Sequence, residues 1–219
     1  MDTFLQAYNY AIANHQDLLT ALQEHGWLVL IPLLIGALIG LPLGLWSARS
    51  QWASTILINT FNALRVIPSL AVLFLAIPYF GLSFQSAAIA LALLVMPPIL
   101  INTDIAFRTL DPAIKEAAYG MGMTPAQVLL QVELPLALPV IIAGLKTAVV
   151  EVIASATLAA FIGAGGLGRF IVLGFALYDS SILLVGAIPV ALLALLAEVS
   201  LSALQRAVQP PVAGLAASR

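Results

Sequence analysis

From Trp27 to Trp46 the chain carries no charged side chain. Runs almost as apolar recur at about 53–80, 83–105, 136–162 and 180–208. A helix of about 20 such residues crosses the hydrocarbon core of a bilayer, and in hydrocarbon only helices or closed barrels satisfy every backbone polar group. A soluble fold cannot hide this much apolar surface. Of the 219 residues, 62% are hydrophobic and only 8% charged, against roughly a quarter charged in soluble domains. The sequence therefore predicts an all-α polytopic membrane protein with about five transmembrane helices. Residues 27–208 form one membrane domain, and the length leaves no room for a second, soluble one. The second run is broken by Pro68 and Pro78; it reads as one kinked or segmented span, or as two, which would make six.

Residues 1–26 are weakly amphipathic and hold Asp2, Asp17 and Glu24 but no Lys or Arg. They lack the basic start of a cleaved signal peptide and read as one or two short interfacial helices outside the membrane. His15 and His25 are expected at the surface. Residues 209–219 form a short polar tail. With no cysteine in the chain, disulfides and thiolate metal sites are excluded, and no metal site is expected.

Lys and Arg set the orientation, because they concentrate in cytoplasmic loops. With five spans and the N-terminus outside, Arg49, Arg108, Lys115, Arg206 and Arg219 fall inside, and only Arg169 falls outside. Arg65 and Lys146 lie within spans. The expected arrangement is N-out and C-in.

Polar residues inside a span are candidates for function, since hydrocarbon penalises them. Gly144, Ala148, Glu151, Ser155 and Ala159 fall on one narrow helical face, where small residues permit close packing. Glu151 is expected at a bundle interface or an aqueous path. Thr55, Asn59, Asn62, Arg65 and Ser69 form a broader stripe. Arg65 precedes Pro68, where a broken helix frees carbonyls, and it either pairs with Glu151 or lines the path. Asn102, Thr103 and Asp104 are expected to cap the third span. Lys146 is expected to reach for the inner interface. Gly163-Ala164-Gly165-Gly166-Leu167-Gly168 lacks the following Lys-Ser or Lys-Thr of a phosphate loop. It reads as an outer turn, a gate or a docking loop, with Gly163, Gly165, Gly166 and Gly168 as its flexible points.

Most of the polar punctuation in the middle of the chain lies between Asp111 and Pro135. Asp111 can cap a first helix with Pro112 at its first position. That helix should fray at Gly120 and Gly122. Thr124, Pro125 and Gln127 have the spacing of a capping box for a second, which Leu134-Pro135 closes before the next span. Ala117, Ala118 and Gly122 leave the first helix open to close approach by a partner. The orientation places this loop, residues 111–135, in the cytoplasm.

Glu116-Ala117-Ala118, Gly122, and then Val132, Leu134 and Pro135 resemble the EAA motif of ABC-importer permeases at every spacing. Val132 stands where isoleucine is most frequent. The resemblance extends from about Leu28 to Arg206. Ile67-Pro68-Ser69-Leu70-Ala71, Val132 to Ala148 and Ala156 to Gly168 are similar to the permeases of the glycine betaine, carnitine and choline importers. Arg65-Val66 depart from that family, which often has Gln-Thr there.

The resemblance implies that the loop forms coupling helices docking on a separate ATPase. It also implies two ATP-binding subunits, a second permease, identical or paralogous, and an extracytoplasmic substrate-binding protein. The chain has no Walker A pattern, so ATP and Mg would belong to the partner, and this chain would carry no catalytic residue and no cofactor. The implied location is a bacterial or archaeal cytoplasmic membrane, with lipid and no nucleic acid as further partners. The alternatives are a permease for another small solute, such as methionine or another amino acid, or an ATP-independent carrier or channel. A carrier would show internal repeats, and none is evident.

Overall fold

The computed structural model describes Asp2–Gln209; Met1 and residues 210–219 lie outside it, and with them all but the first residue of the expected tail. The described residues are helical with short connections. A short helix α1 (Asp2–Ala13) precedes α2 (His15–Arg49), α3 (Gln51–Leu64), α4 (Ser69–Phe80) and α5 (Phe84–Arg108). Then come α6 (Pro112–Gly120), α7 (Pro125–Gln127), α8 (Leu134–Ala156), α9 (Gly168–Ala176) and α10 (Ser180–Ala207). Four helical runs are long and apolar enough to cross a membrane: α2, α5, the run Pro125–Ile162 containing α8, and α10. The pair α3 and α4, bent by 95° at its break, makes a fifth if it counts as one span. The break follows from Pro68, which has no N–H to continue a helix and pushes Ile67 out of helical conformation.

The N-terminal expectation holds only for the first helix. Helix α1 is short, but α2 begins at His15 and continues without interruption through the first span. Residues 15–26 are therefore the N-terminal end of a 35-residue helix, not a separate element. His25 is fully buried rather than at the surface. Its ring faces the Ile153 backbone, with neither nitrogen in a well-formed hydrogen bond.

Helix α5 is the centre of the bundle, packed between α2, α4 and α8. Lipid tails are as apolar as leucine, so association inside a bilayer depends on close packing rather than on expelling water. Helix α2 supplies a stripe of Gly36, Gly40 and Gly44 against α5. A Cβ on Gly44 would stand 2.5 Å from Thr103 Cβ and 2.7 Å from the Leu100 carbonyl oxygen. On the other side, a Cβ on Gly144 of α8 would stand 2.5 Å from Asn102 Cβ. Leu28, Leu73, Leu91, Val95, Ile99, Val152 and Ile162 fill the core between these contacts. A second cluster joins Ala7 of α1 and Ala21 of α2 to Phe170 of α9 and Ile182 and Val185 of α10.

Asp104, Asn102 and Thr103 sit differently from expectation, and Lys146 has a partner the sequence did not show. Asp104 does not end its span: α5 continues to Arg108, and the buried Asp104 carboxylate accepts from Ser47 Oγ at 2.6 Å and Arg108 Nη2 at 2.8 Å. Asn102 and Thr103 donate back to the Pro98 and Ile99 carbonyls within the helix, so neither acts as a cap. Lys146 is held in a pair. Its Nζ donates to Glu198 Oε1 at 2.9 Å and Ser202 Oγ at 3.2 Å, tying α8 to α10.

Candidate functional site

Two groups of candidate residues stand together, one at an end of the bundle and one at the break between α3 and α4. At the end, Asp111 accepts from the Ala113 N–H and caps α6, with Pro112 at the first position. Gly122 adopts φ +82° just past α6, a left-handed conformation that glycine takes without steric cost. Nothing lies within 4 Å of a Cβ built on it, so the turn has a free face. Thr124 and Gln127 form the reciprocal capping box that their spacing predicted. Glu116, Ala117 and Gly122 are exposed. Ala118 is not: it is buried against the protein's own fold, so it anchors α6 rather than offering a surface.

Leu134-Pro135 does not close a helix. Helix α7 passes into a π-helical turn over Val128–Glu133 and then directly into α8. The Leu134 N–H donates to the Leu129 carbonyl, five residues back. In regular α geometry the Pro135 ring would meet the carbonyl four residues earlier; the wider turn makes room for it. The loop's second helix and the span behind it are thus one continuous rod from Pro125 to Ile162. Val132 and Leu134 are half-buried at its head and Pro135 is exposed. Glu133, between them, is buried; it pairs with Arg49 at the end of α2 and with Lys115 Nζ of α6 at 3.0 Å.

An open cavity of about 250 Å³ lies at the break between α3 and α4. Arg65, Ser69, Glu151 and Ser155 all line it, with Pro97 of α5 behind them. Four helices meet here for local reasons: Pro68 ends α3 and starts α4, and small residues let α8 approach α5. Arg65 and Glu151 share the cavity but form no ion pair. Asn62 stands outside it, on an exposed face of α3 with Thr55 and Asn59.

The glycine loop lies at the opposite end from α6. Gly163, Gly165 and Gly166 have positive φ, and the Gly166 N–H donates to Glu24 Oε2 at 2.8 Å. Gly168 sits hard against the Thr157 carbonyl. The loop is fastened to the N-terminal part of α2 rather than being a free turn. Beside it Arg169 donates to the Asp17 carbonyl oxygen at 2.6 Å. Sequence reasoning did not find this attachment, nor Glu133, because each joins residues far apart in the chain.

Residues 40–213 match the family described as binding-protein-dependent transport system inner membrane component. The chain belongs to this family. It is 40% identical over 197 residues to the carnitine transport permease protein OpuCB of Listeria monocytogenes, covering 90% of each chain. It is 39% identical to the choline transport system permease protein OpuBB of Bacillus subtilis, over 90% of this chain and 91% of that one. Against the osmoprotectant import permease protein OsmW of Salmonella typhimurium it is 38% identical over 215 residues, 96% of this chain and 98% of that one. Among solved structures, an inward-facing MetNI methionine ABC transporter aligns with a TM-score of 0.78 at 23% identity, over 90% of this chain and 99% of that one. That likeness concerns the fold. The protein is an inner-membrane component of a transport system, with the all-helical architecture its sequence predicted.

Proposed function

We propose that this chain is the permease subunit of an ATP-driven importer for a quaternary amine osmoprotectant such as glycine betaine, carnitine or choline. Of two ATP-binding subunits, one docks on the α6 and α7 surface of this chain, from Glu116 to Gly122 and on to Leu134-Pro135, and the other on the second permease. They bind and hydrolyse ATP with Mg; the permease takes no part in that chemistry. A binding protein delivers substrate at the end where Gly163–Gly168 lies. The observation that carries this reading is the continuous helical run Pro125–Ile162. It joins the docking end to the cavity, because α8 also holds Glu151 and Ser155. Movement imposed on α7 by a partner is movement of the cavity wall.

The cavity supports the substrate class. A guanidinium and a carboxyl that do not pair with each other can engage the two ends of a zwitterion: carboxylate on Arg65, quaternary ammonium near Glu151. Glycine betaine and carnitine have both ends; choline lacks the carboxylate. The exposed Thr55, Asn59 and Asn62 face of α3 would be costly against lipid. It fits a second permease, identical or paralogous, that completes the path.

Gly122→Asp tests the docking. The position is open and aspartate tolerates left-handed backbone better than most residues, so the permease should reach the membrane. The variant should lose its ATPase or lose binding-protein-stimulated hydrolysis, and uptake with it; Tyr119→Asp should be milder. Normal uptake by Gly122→Asp with the ATPase attached would overturn the reading. Uptake of methionine in preference to glycine betaine would overturn the substrate class alone.

A further inference from the structure

Glu133 occupies the one unspecified position between the aliphatic residue and Leu-Pro of the loop's motif, yet it is the most constrained side chain of that segment. Its side chain is 2% exposed. A carboxylate held away from water is expensive unless it is paired and hydrogen-bonded, and here two cations from different elements converge on it. Lys115, immediately before Glu116 in α6, donates at 3.0 Å. Arg49, the last residue of α2, donates from the other side. Glu133 itself ends the π-helical turn at the head of α8. One carboxylate therefore joins α2, α6 and α8. Turns of this kind concentrate at functional sites, and this one sets which way Glu133 projects.

We infer that Glu133 is a positioning residue: with Lys115 and Arg49 it fixes the docking helix α6 to the heads of α2 and α8, so that movement of α6 is transmitted into the membrane domain. This rests on the docking role proposed for α6. Besides the Glu133 pair, the one fully buried side chain of α6 is Ala118, a single methyl packed against the fold. A methyl contact is non-directional and lets a nine-residue helix pivot; a charge-assisted hydrogen bond has direction. Without the Lys115–Glu133 bond, a partner can still sit on Glu116–Gly122 and hydrolyse ATP, but α6 turns without carrying α2, and α8 follows only through α7.

The test uses the complete transporter in proteoliposomes, with its ATPase and binding protein, and reads uptake per ATP hydrolysed. Lys115→Gln should retain the ATPase and its hydrolysis while uptake per ATP falls about tenfold, the scale of a lost hydrogen bond to a charged group. Lys115→Arg should restore the ratio. Glu133→Gln, which also loses the Arg49 pair, should be at least as defective as Lys115→Gln, and the double variant should be no worse than Glu133→Gln, because the Lys115 bond is already gone in it. If Glu133→Gln does not reach the membrane, the two Lys115 variants decide. Wild-type uptake per ATP in Lys115→Gln, equal loss in Lys115→Arg, loss of the ATPase from Lys115→Gln, or additive defects in the double variant each overturn the inference. Gly122→Asp separates the two readings. If it is defective while Lys115→Gln is normal, docking stands and transmission through Glu133 falls; if Gly122→Asp transports normally, docking itself falls.

Discussion

Single side chains in this protein matter according to how far their partners are in sequence. Asp104 is held by Ser47 and Arg108. Asp104→Ala should lower stability by about 1–3 kcal/mol, less than a fully buried pair would, because Arg108 is partly exposed and can turn to water. A shift of the unfolding midpoint in detergent measures it. Asp179 caps α10, and the Ser181 hydroxyl and N–H that donate to it hold its carboxyl below the usual aspartate range. Its contribution is therefore present above the ordinary aspartate value and lost as pH falls through the depressed folded value. Amide exchange in the first turn of α10 should accelerate on acidification, and Asp179→Asn should abolish that dependence. The caps at Asp111 and Thr124 were legible in the sequence because each partner lies within three residues. Glu133 was not, since Arg49 is 84 positions away. The partner of Lys146 was not legible for the same reason: Glu198 is 52 positions away.

Helices here are placed by what their faces lack. The Gly36, Gly40 and Gly44 stripe repeats every fourth residue on one side of α2, and that spacing was available in the sequence as a packing signal. Gly44→Val should wedge α2 from α5, since a Cβ there already crowds the Leu100 carbonyl and Thr103. Overpacking of this kind costs about 1–3 kcal/mol, and reduced recovery of folded permease from the membrane is the measurement. Gly26, which has open space around a built Cβ, should accept Ala without that loss. The cavity was partly legible. Arg65, Ser69, Glu151 and Ser155 meet there as their helical faces suggested, because Pro68 and small residues act locally. Asn62 belongs to the same stripe by spacing but not to the cavity, since α3 stops at Leu64 and turns by 95°. If Arg65 and Glu151 hold the two ends of a zwitterion, Arg65→Gln should depress uptake of glycine betaine about tenfold and choline far less. Equal loss for both substrates would defeat that assignment.

At the scale of the whole protein, the two ends of the bundle differ in chemistry: Arg49, Arg108, Lys115 and Glu133 gather at one, Asp17, Glu24 and Arg169 at the other. Membrane sidedness can be read without background, because the chain has no cysteine. An impermeant maleimide should label Tyr178→Cys in intact cells and Tyr119→Cys only after permeabilisation; both side chains are exposed. Labelling of both from one side would defeat the N-out, C-in arrangement. Helix α2 spans the distance between these ends and is fastened at each, by Glu24 to the glycine loop and by Arg49 to Glu133. At 1.5 Å per residue the two attachments are about 38 Å apart. If α2 swings as a stiff beam about its middle, a tilt of about 10° carries each end roughly 3 Å in opposite directions, enough to unfasten either clasp. If it flexes instead at Pro32 or Pro42, both clasps hold. The inside and outside of this protein are thus either in opposition, with one closed only while the other is open, or independent, and two prolines decide which.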